Sequence, residues 1–344
     1  MEIETSCALA LLLMNTNKKK LILIRLDKIG DLICTLPVDE IFGSEFEITW
    51  VISKGLSPLT ECANPPRRYI QLDKTHPREA AQELKAFLKK EKFDLALSFQ
   101  APWWVNFQLW LQRIPLRLGV LSQWHSFLFL NQGLRQKRSR AEKHEYEYSL
   151  DLALLAKELL KSPLSPLEKD KSLTAYLKLK PRLNSLSQFD VNQNFVVVHP
   201  GMMGSALNWP EEKYIQWIES FLKLKKDKVV ITGTDKDEPY LKKIKSTFAQ
   251  HPQVIVLQSQ LNFDELLLLL SKAQLVLAPS TGVAHLAASL GTKVKAIFSP
   301  LRVHHPLRWS PRGPFVKNYL PQGPSPIDDE EQARKMMETI EVDL

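Results

Sequence analysis

The feature of this sequence that most restricts its fold is a series of short apolar segments that alternate with helical patterns. In the second half these segments lie at 195–200, 228–234, 254–258, 275–280 and 293–298. Each is rich in apolar residues, as strands are when both faces of a parallel sheet are buried. Apolar strands separated by helices in this way predict a doubly wound α/β unit.

The first half has the same pattern in a less regular form. Helices are expected at 31–41 and 78–92, and strands are expected at 21–26, 47–53, 69–73 and 95–100. With 344 residues, the chain is long enough for two domains that each bury a core of their own. The sequence therefore predicts two α/β units in succession.

The chain is expected to divide into an N-terminal extension, two Rossmann-like domains and a C-terminal helix. The expected bounds are 1–19, 20–170, 171–325 and 326–344. A polar stretch with several prolines near 162–185 is the expected linker between the two domains. The apolar segment near the N-terminus follows acidic residues and lacks a small-residue cleavage site, so a secretion signal is not expected.

Composition and short motifs exclude several classes of protein. Charged residues make up 24% of the chain and hydrophobic residues 44%, which excludes an intrinsically disordered protein. The three cysteines have no CxxC spacing and indicate reduced thiols in a cytoplasmic protein. The apolar runs are too short to span a membrane. Without GxGxxG, GxxxxGK(S/T) or HExxH motifs, a conventional dinucleotide, P-loop or zinc site is not predicted.

Glycine is scarce, with 12 residues in 344, and several of the glycines lie where an expected strand passes into the next helix. They are Gly30, Gly201, Gly204, Gly233 and Gly282. In doubly wound sheets, ligands bind beyond the carboxyl ends of the strands, where helix N-termini favour anions. A tight turn explains Gly30 or Gly233 equally well. The segments 201–204 and 280–282, in contrast, are expected to face each other across one domain.

Three segments combine these glycines with acidic, hydroxyl and aromatic residues. They are IRLDKIGDLICTLP at 24–37, VVVHPGMMGSALNWPEEKY at 196–214 and LAPSTGVAHLAASLGTKVKAIFSP at 277–300. Weaker signals are HEYEYSLDL at 144–152 and RWSPRG at 308–313. Together, over about 20–315, they resemble glycosyltransferase family 9, the heptosyltransferase family of lipopolysaccharide assembly. The resemblance implies the GT-B architecture, in which an acceptor-binding and a nucleotide-sugar-binding Rossmann-like domain face a cleft.

The resemblance places the catalytic base of the family on Asp31. An inverting glycosyl transfer needs a carboxylate that removes the proton from the acceptor hydroxyl while a nucleotide diphosphate departs. The alternative role of Asp31 is that of an ordinary helix N-cap. Asp27 is the neighbouring carboxylate, and we expect it to be a turn residue or a partner of Arg25 or Lys28.

The resemblance also implies a donor site on the second domain, where preorganised hydrogen-bond donors stabilise the leaving diphosphate. Thr281 and Gly282 offer a hydroxyl and backbone N–H groups at a helix start, and His285 lies one turn further along. Glu238 is a candidate for binding ribose or sugar hydroxyls. The expected donor-binding residues are Gly201, Gly204, Ser280, Thr281, Gly282, His285 and Glu238.

Two positions depart from the pattern of the family. Its members commonly carry a phosphate-contacting lysine two residues before the tryptophan that corresponds to Trp209, and this chain has Leu207 there. Many heptosyltransferases have an aspartate directly before the Thr-Gly pair, where this chain has Ser280. These departures leave the donor sugar open, with Lys213 and Lys236 as reserve cations. Trp209 itself is expected to be a packing residue.

Half of the formal net charge of +8 lies in the segment 135–143, which follows an aromatic stretch at 124–130. We expect this loop to receive an acidic glycolipid head group and to contact an anionic membrane surface. A solvated loop is the alternative. Nucleic acid favours a similar patch, but no nucleic-acid-binding module accompanies this one. The expected acceptor-binding residues are Gly30, Arg135, Lys137, Arg138 and Arg140.

Residues and resemblance together indicate an inverting, metal-independent glycosyltransferase at the cytoplasmic face of the inner membrane. Its substrates are expected to be a nucleotide-sugar, with ADP-heptose as a candidate, and a lipopolysaccharide-type or related glycolipid. No cofactor, metal or nucleic acid is expected. The alternative is a catalytically impaired relative that acts as a binding or scaffold protein. A nicotinamide oxidoreductase is disfavoured by the missing glycine fingerprint.

Overall fold

The computed structural model describes residues 18–162, 164–202, 204 and 206–344, and of Leu167 the backbone alone. The expected N-terminal extension at 1–19 therefore lies outside the described residues, apart from Lys18 and Lys19. Within the described part of the chain, no helix is both long enough and apolar enough to cross a membrane.

The first unit is a parallel six-stranded sheet with the strand order β3-β2-β1-β4-β5-β6. The strands are β1 (Lys19–Arg25), β2 (Phe46–Ser53), β3 (Tyr69–Leu72), β4 (Leu95–Ser98), β5 (Leu116–Val120) and β6 (Gln132–Leu134). The helices are α1 (Ile29–Thr35), α2 (Ser57–Glu61), α3 (Pro77–Lys90), α4 (Trp103–Leu111), α5 (Trp124–Phe129) and α6 (Glu145–Leu159), with 3₁₀ segments at Leu36–Glu45 and Arg138–Arg140.

The second unit repeats this design with the strand order β12-β11-β10-β7-β8-β9, again all parallel. The strands are β7 (Phe195–Val198), β8 (Lys228–Gly233), β9 (Val254–Gln258), β10 (Val276–Pro279), β11 (Val294–Ile297) and β12 (Val316–Tyr319). Helix α7 (Pro166–Thr174) precedes this unit and packs on the first one. The helices of the second unit are α8 (Glu211–Leu224), α9 (Glu238–Thr247), α10 (Phe263–Lys272), α11 (Gly282–Ser289), α12 (Pro306–Trp309) and α13 (Glu330–Met337), with 3₁₀ turns at Asp235–Asp237 and Arg302–His304. The two doubly wound units expected from the sequence are confirmed.

Some elements differ from the expected pattern. Strands β5, β6 and β12 and helices α4 and α5 were not predicted. Helix α4 has the sequence WWVNFQLWL, which is apolar on nearly every side and lacks the one-sided pattern of an amphipathic helix. The helix expected at 31–41 begins earlier, at Ile29, and passes into a 3₁₀ segment at Leu36. Pro37 has no N–H to continue the α-helical bonding there.

The two units share one large apolar core. It joins Leu32 of α1 and Leu150 of α6 to Ala284 of α11. The expected linker at 162–185 contains helix α7, and the residues after that helix bond to both units. The Leu179 N–H donates to the Ser289 carbonyl at 2.9 Å, and the Lys180 N–H donates to the Cys62 carbonyl at 2.8 Å. The two units are therefore held together through packing and through the linker backbone.

The segment 326–344, expected to be a C-terminal helix, contains helix α13 over Glu330–Met337, and the chain around it packs on the second unit. Met337 and Ile340 are buried against Trp209. The Trp209 indole N–H donates to the Ile340 carbonyl at 3.2 Å, and its ring lies 5.0 Å from that of Tyr214. The packing role expected for Trp209 is confirmed.

The strand order of each sheet reverses at one point, between β1 and β4 in the first and between β7 and β10 in the second. Doubly wound proteins bind ligands in the crevice beyond the carboxyl ends of the strands at such a point. The segments that follow β1, β7 and β10 carry Gly30, Gly201 and Gly282. The topology of the two sheets thus brings these glycines to the crevices.

Candidate active site

The first turns of α1 and α11 meet where the two units face each other. A Cβ atom placed on Gly282 would lie 3.0 Å from Cβ of Ile29, and one placed on Gly30 would lie 3.2 Å from Cδ2 of His285. The absence of a side chain on these two glycines therefore lets one helix of each unit approach the other closely. Asp31 directly follows Gly30 in the first turn of α1 and therefore lies one residue from this contact.

A cleft of about 470 Å³ opens beside this contact and is lined by both units. From the first unit it receives Asp27, Lys28, Ile29, Gly30, Ser53, Lys54, Leu56 and Lys74. From the second unit it receives His199, Gly201, Met202, Thr232, Gly233, Thr234, Asp237, Leu257, Ser259, Leu261, Leu266, Thr281, Gly282 and Val283. Apolar and polar side chains alternate with glycines in this lining, as is typical of a cleft that binds an organic ligand with a charged part.

Polar residues at the ends of β7 and β8 form one wall of the cleft. The buried His199 imidazole lies 3.0 Å from the hydroxyl of Thr232, through Nδ1, and burial lowers the pKa of His199 to about 4. The Asp237 carboxylate accepts hydrogen bonds from the N–H and hydroxyl of Thr234 at 2.9 and 2.8 Å. A Cβ on Gly201 would lie 2.3 Å from Cγ of Asp237. Glycine at 201 is therefore required for this carboxylate to lie against the backbone.

Thr281 begins helix α11 with a hydroxyl group whose hydrogen-bonding capacity is unused among the described residues. It is the N-cap residue, but its side chain does not cap the helix. Among the described residues, nothing is hydrogen-bonded to its Oγ1, although that atom is buried. The first backbone N–H groups of a helix are also without helical partners and attract anions. The start of α11 thus offers both kinds of donor at the cleft.

Asp31 is held by a buried arginine. The Arg25 guanidinium is fully buried and donates from Nη2 to Oδ1 of Asp31 at 2.6 Å and to Oε1 of Glu145 at 3.3 Å. Its Nε lies 2.8 Å from Oδ2 of Asp27. Asp27 is therefore an ion-pair partner of Arg25, which is one of the roles expected for it from the sequence. Asp31 is the third residue of α1, and Lys28 is the N-cap. The N-cap role considered for Asp31 is therefore wrong.

Glu145 connects this arginine to the second unit. Its buried carboxylate accepts from Arg138 Nη1 at 2.5 Å and from Arg308 Nε at 3.0 Å, in addition to Arg25. Burial alone would raise the pKa of Glu145, but the charges of the three arginines outweigh it and lower the pKa below its ordinary value. The network therefore has a net charge of zero, because its three arginines are matched by the carboxylates of Asp27, Asp31 and Glu145.

The two weaker motifs of the sequence form the interface that contains this network. His144 lies 2.8 Å from the Ser310 carbonyl through Nε2, and Arg308 pairs with Glu145. The Arg312 guanidinium lies over the Tyr146 ring, 4.3 Å from its centre. The segments HEYEY and RWSPRG, far apart in the chain, thus hold the two units together next to Asp31.

A second pocket, of about 350 Å³, lies in the first unit at the carboxyl ends of β4 and β5. It shares Asp27 and Lys74 with the cleft. A polar chain lies along its wall: the Asn106 amide is 3.1 Å from Nδ1 of His125, whose Nε2 is 2.5 Å from the Gln123 side-chain oxygen. Burial lowers the pKa of His125, which favours the neutral ring in this chain of contacts.

The structure brings three of the seven expected donor-binding residues to the cleft. They are Gly201, Thr281 and Gly282, and Gly30, which was expected to bind the acceptor, lines the same cleft. Ser280 directly precedes Thr281. His285 is buried between α1 and α11, with Nδ1 3.8 Å from Sγ of Cys34, and burial together with the charge of His144 lowers the pKa of His285 to about 3. It supports the contact between the helices rather than lining the cleft.

Two further residues that were expected to bind the donor, Gly204 and Glu238, do not line the cleft. Gly204 is exposed and has a φ of +70°, a left-handed conformation that explains its glycine by local geometry. Glu238 pairs with Lys245 at 2.6 Å and with Gln258 at 2.8 Å. The preceding residue, Asp237, faces the cleft instead. The segment after β8 does carry a carboxylate that faces the cleft, but this carboxylate belongs to Asp237 and not to Glu238.

The basic loop is only partly exposed to solvent. Arg135, Lys137 and Arg140 are exposed, as expected of a loop that meets an anionic partner. For Arg138 the expectation is wrong, because its side chain is buried and paired with Glu145. A guanidinium in that position balances the charge of a buried carboxylate and is not available to a head group.

The sequence reasoning missed Arg138 as an internal cation, Glu145, Arg308, His199, Asp237, Lys28 and Lys74. One signal was available for the network: Arg25 is a charged residue within the apolar strand LILIR, and a buried charge requires partners. Among the residues that the structure describes, no group of three or more His, Cys, Asp or Glu side chains is arranged to hold a metal ion.

Comparison with known proteins finds a matching family, relatives in sequence and solved structures of the same fold. A family profile described as glycosyltransferase family 9 (heptosyltransferase) matches residues 81–334. The lipopolysaccharide core heptosyltransferase OpsX of Haemophilus influenzae is 24% identical over 311 residues, which cover 85% of this chain and 82% of that protein. The Escherichia coli ADP-heptose lps heptosyltransferase II superposes with a TM-score of 0.68 at 17% identity, covering 93% of this chain and 97% of that chain. The E. coli heptosyltransferase WaaC with ADP superposes with a TM-score of 0.63 at 18% identity, covering 87% and 93%.

Two doubly wound units that face a common cleft define the GT-B fold, and the solved heptosyltransferase structures share it. The profile match spans most of the sequence, so the chain belongs to glycosyltransferase family 9, the heptosyltransferase family. It is accordingly a glycosyltransferase. The resemblance inferred from the three motifs is confirmed.

Proposed function

We propose that this glycosyltransferase moves a sugar from a nucleoside diphosphate onto a hydroxyl group of a glycolipid acceptor, with inversion at the anomeric carbon. The observation that carries the proposal is the contact between α1 and α11, in which Gly30, the residue before Asp31, packs on α11, while Thr281 at the start of α11 lines the cleft. The carboxylate of Asp31 does not line the cleft itself, so the proposal requires the acceptor hydroxyl to meet it at the edge of the cleft. A base and a leaving-group site close to each other are the two requirements of such a transfer.

Asp31 is the proposed base. Its Oδ1 is engaged by Arg25, so Oδ2 takes the proton of the acceptor hydroxyl. The acceptor oxygen then forms its bond to the anomeric carbon as the bond from that carbon to the diphosphate oxygen breaks, and the diphosphate leaves with the bonding electrons. Arg25 fixes the orientation of the carboxylate, because its own position is fixed by Glu145.

The leaving diphosphate is proposed to bind at the start of α11. The Thr281 hydroxyl and the N–H groups of the first helical turn supply donors without a metal ion. Lys28, exposed at the start of α1 and lining the same cleft, supplies positive charge from the opposite side. It is a candidate for the cation that other family members place at the position of Leu207, whose side chain here packs against the core of the second unit.

The acceptor is proposed to enter through the second pocket, which meets the cleft at Asp27 and Lys74. Asn106, His125 and Gln123 offer polar atoms suited to sugar hydroxyls there. Arg135, Lys137 and Arg140 then contact acidic groups of a lipopolysaccharide-type glycolipid. This arrangement implies action at the cytoplasmic face of the inner membrane.

ADP-heptose is the first candidate donor. The relative OpsX is named a lipopolysaccharide core heptosyltransferase, and the WaaC structure was determined with ADP. Titration calorimetry with ADP, UDP, GDP and NADH tests the nucleotide, and product analysis with ADP-heptose tests the sugar. Binding of ADP alone, with transfer that is insensitive to EDTA, is the expected result. Failure to bind any of the four nucleotides would support the catalytically impaired relative instead.

Replacing Lys28 with alanine is expected to weaken ADP binding about tenfold, because a charge-assisted contact to the diphosphate is lost. Calorimetry on the wild type and the variant measures this directly. Lys236→Ala is the matched control, since Lys236 is an exposed lysine of the second unit that does not line the cleft. Equal ADP affinity of Lys28→Ala and the wild type would remove Lys28 from the donor site.

A further inference from the structure

Helices α4 and α5 expose a group of large apolar side chains, which we call the aromatic face. Its members are Trp103 (52% exposed), Trp110 (46%), Leu111 (41%), Trp124 (63%), Phe127 (49%) and Leu128 (63%). Within the described part of the chain, these include every tryptophan that is largely exposed. Isolated apolar side chains on a surface are ordinary, but a contiguous group of this size marks an interaction site.

Ring contacts make the aromatic face continuous between the two helices. Phe107 of α4 lies 5.3 Å from Phe129 of α5, measured between ring centres. Trp103 and Trp110 contact Phe107 at 6.3 and 5.9 Å, and Trp124 contacts Phe129 at 6.3 Å. The tryptophans are thus held in fixed positions by a shared aromatic base.

The backbone beneath the aromatic face is also fixed. The Arg117 side chain donates to the carbonyl of Phe129 at 2.8 Å and to that of Ile114 at 2.5 Å. It thereby joins the ends of α4 and α5 to strand β5. A preformed apolar surface binds a partner without a large loss of conformational entropy.

The segment of the chain that carries the aromatic face has basic residues and no acidic ones. Between Asp94 and Glu142 the sequence contains no acidic residue. Arg113, Arg135, Lys137 and Arg140 are exposed in this region. The Arg135 guanidinium lies over the ring of Phe127, 5.3 Å from its centre, so basic and apolar side chains adjoin directly. Tryptophans at the interface and arginines that meet anionic lipid are the two features of a surface that lies on an acidic bilayer.

The same two helices form the second pocket. Its lining includes Pro102 and Asn106 from the start of α4, and Gln123, His125 and Ser126 from the start of α5. A surface that rests on the membrane through α4 and α5 therefore places this pocket next to the lipid head groups. Charge and continuity with the pocket both favour a bilayer over a protein partner.

We propose that the aromatic face inserts into the interfacial layer of an anionic bilayer, with Trp103, Trp124 and Leu128 as its deepest side chains. The basic loop at Arg135, Lys137 and Arg140 contacts the acidic head groups beside it. Delivery of a glycolipid acceptor from that bilayer to the second pocket rests on the proposed function, whereas the membrane contact itself does not.

Co-sedimentation of the full chain with phosphatidylcholine vesicles, with and without 30% phosphatidylglycerol, tests the proposal. The wild type is expected to bind the anionic vesicles and to bind the neutral ones much more weakly. Trp124→Ser with Leu128→Ser is expected to reduce the partition coefficient on anionic vesicles at least tenfold, because two exposed apolar side chains no longer insert. Leu224→Ser with Leu307→Ser is the matched control, since these leucines are similarly exposed elsewhere, and is expected to bind as the wild type does.

Thermal unfolding and ADP binding, measured on each variant, verify that the fold is unchanged. The proposal would be overturned if the variant with Trp124→Ser and Leu128→Ser bound anionic vesicles as strongly as the wild type does. It would also be overturned if the wild type did not bind these vesicles. A dimer in sedimentation velocity that the same double substitution abolishes would assign the face to a second copy of the chain. Because vesicle binding needs no sugar transfer, these outcomes are distinct from failure of the proposed reaction.

Discussion

Replacing Asp31 with asparagine is expected to lower kcat for sugar transfer about a thousandfold, within the range that general-base catalysis contributes. Asparagine keeps the size of the side chain and an oxygen that can accept from Arg25, but it cannot take the proton of the acceptor hydroxyl. ADP binding is expected to stay within about twofold of the wild type, since the diphosphate is assigned to α11. Steady-state kinetics and calorimetry on the same protein separate the two effects.

Asp27→Asn is the matched control for this experiment. Both carboxylates contact Arg25, at 2.6 Å for Asp31 and 2.8 Å for Asp27. Burial raises the pKa of Asp27, against the opposing charge of Arg25. We expect Asp27→Asn to keep kcat within about tenfold of the wild type, through its effects on the position of Arg25 and on the junction of the two pockets. If Asp27→Asn lowered kcat more than Asp31→Asn does, the role of base would belong to Asp27.

Replacing Glu145 with glutamine is expected to lower the free energy of unfolding by about 3–5 kcal/mol, because removal of one partner leaves buried charges without compensation. Arg25, Arg138 and Arg308 all contact this carboxylate. Urea unfolding followed by circular dichroism measures the loss. Glu142→Gln, which affects an exposed pair with Arg140, is the control and is expected to change stability by less than about 1 kcal/mol.

The pH dependence of this difference provides an independent check. A carboxylate with a lowered pKa in the folded protein contributes stability above the pKa of the unfolded chain, and the contribution is lost as the pH falls through the folded pKa. The stability gap between wild type and Glu145→Gln is therefore expected to be full at neutral pH and to narrow below about pH 4. A gap that is independent of pH would show that the ionised carboxylate is not the source of the effect.

The second unit was the more predictable half, and the reason is the regularity of its strands. Val254–Gln258 was predicted without error, and the neighbouring strands were predicted within one or two residues. In the first unit, α4 was missed because apolar residues occupy its exposed face as well as its buried one. Where apolar residues lie on all sides of an element, the periodicity that distinguishes helix from strand is lost.

The site was predictable as a set of turns but not as a set of contacts. The glycines after β1, β7 and β10 indicated where the cleft would lie, since strand order determines which carboxyl ends meet. Arg308 and Glu145 are separated by 163 residues in the chain, and only the docking of the two units brings them together. Glu238 was preferred to Asp237 because a 3₁₀ turn at Asp235–Asp237 shifts which side chain faces inward.

The contact between α1 and α11 also limits how sequences of this kind can change. Gly282 lies against Ile29, and Gly30 lies against His285, so each glycine leaves room for one side chain of the other unit. A methyl group at position 282 would lie 3.0 Å from both Cβ and Cγ2 of Ile29, so it requires the two helices to shift apart or residue 29 to lose the branched side chain. Valine keeps both of these atoms, so we expect relatives with alanine at position 282 to carry alanine or glycine at position 29. An alignment in which these two positions vary independently would contradict this coupling.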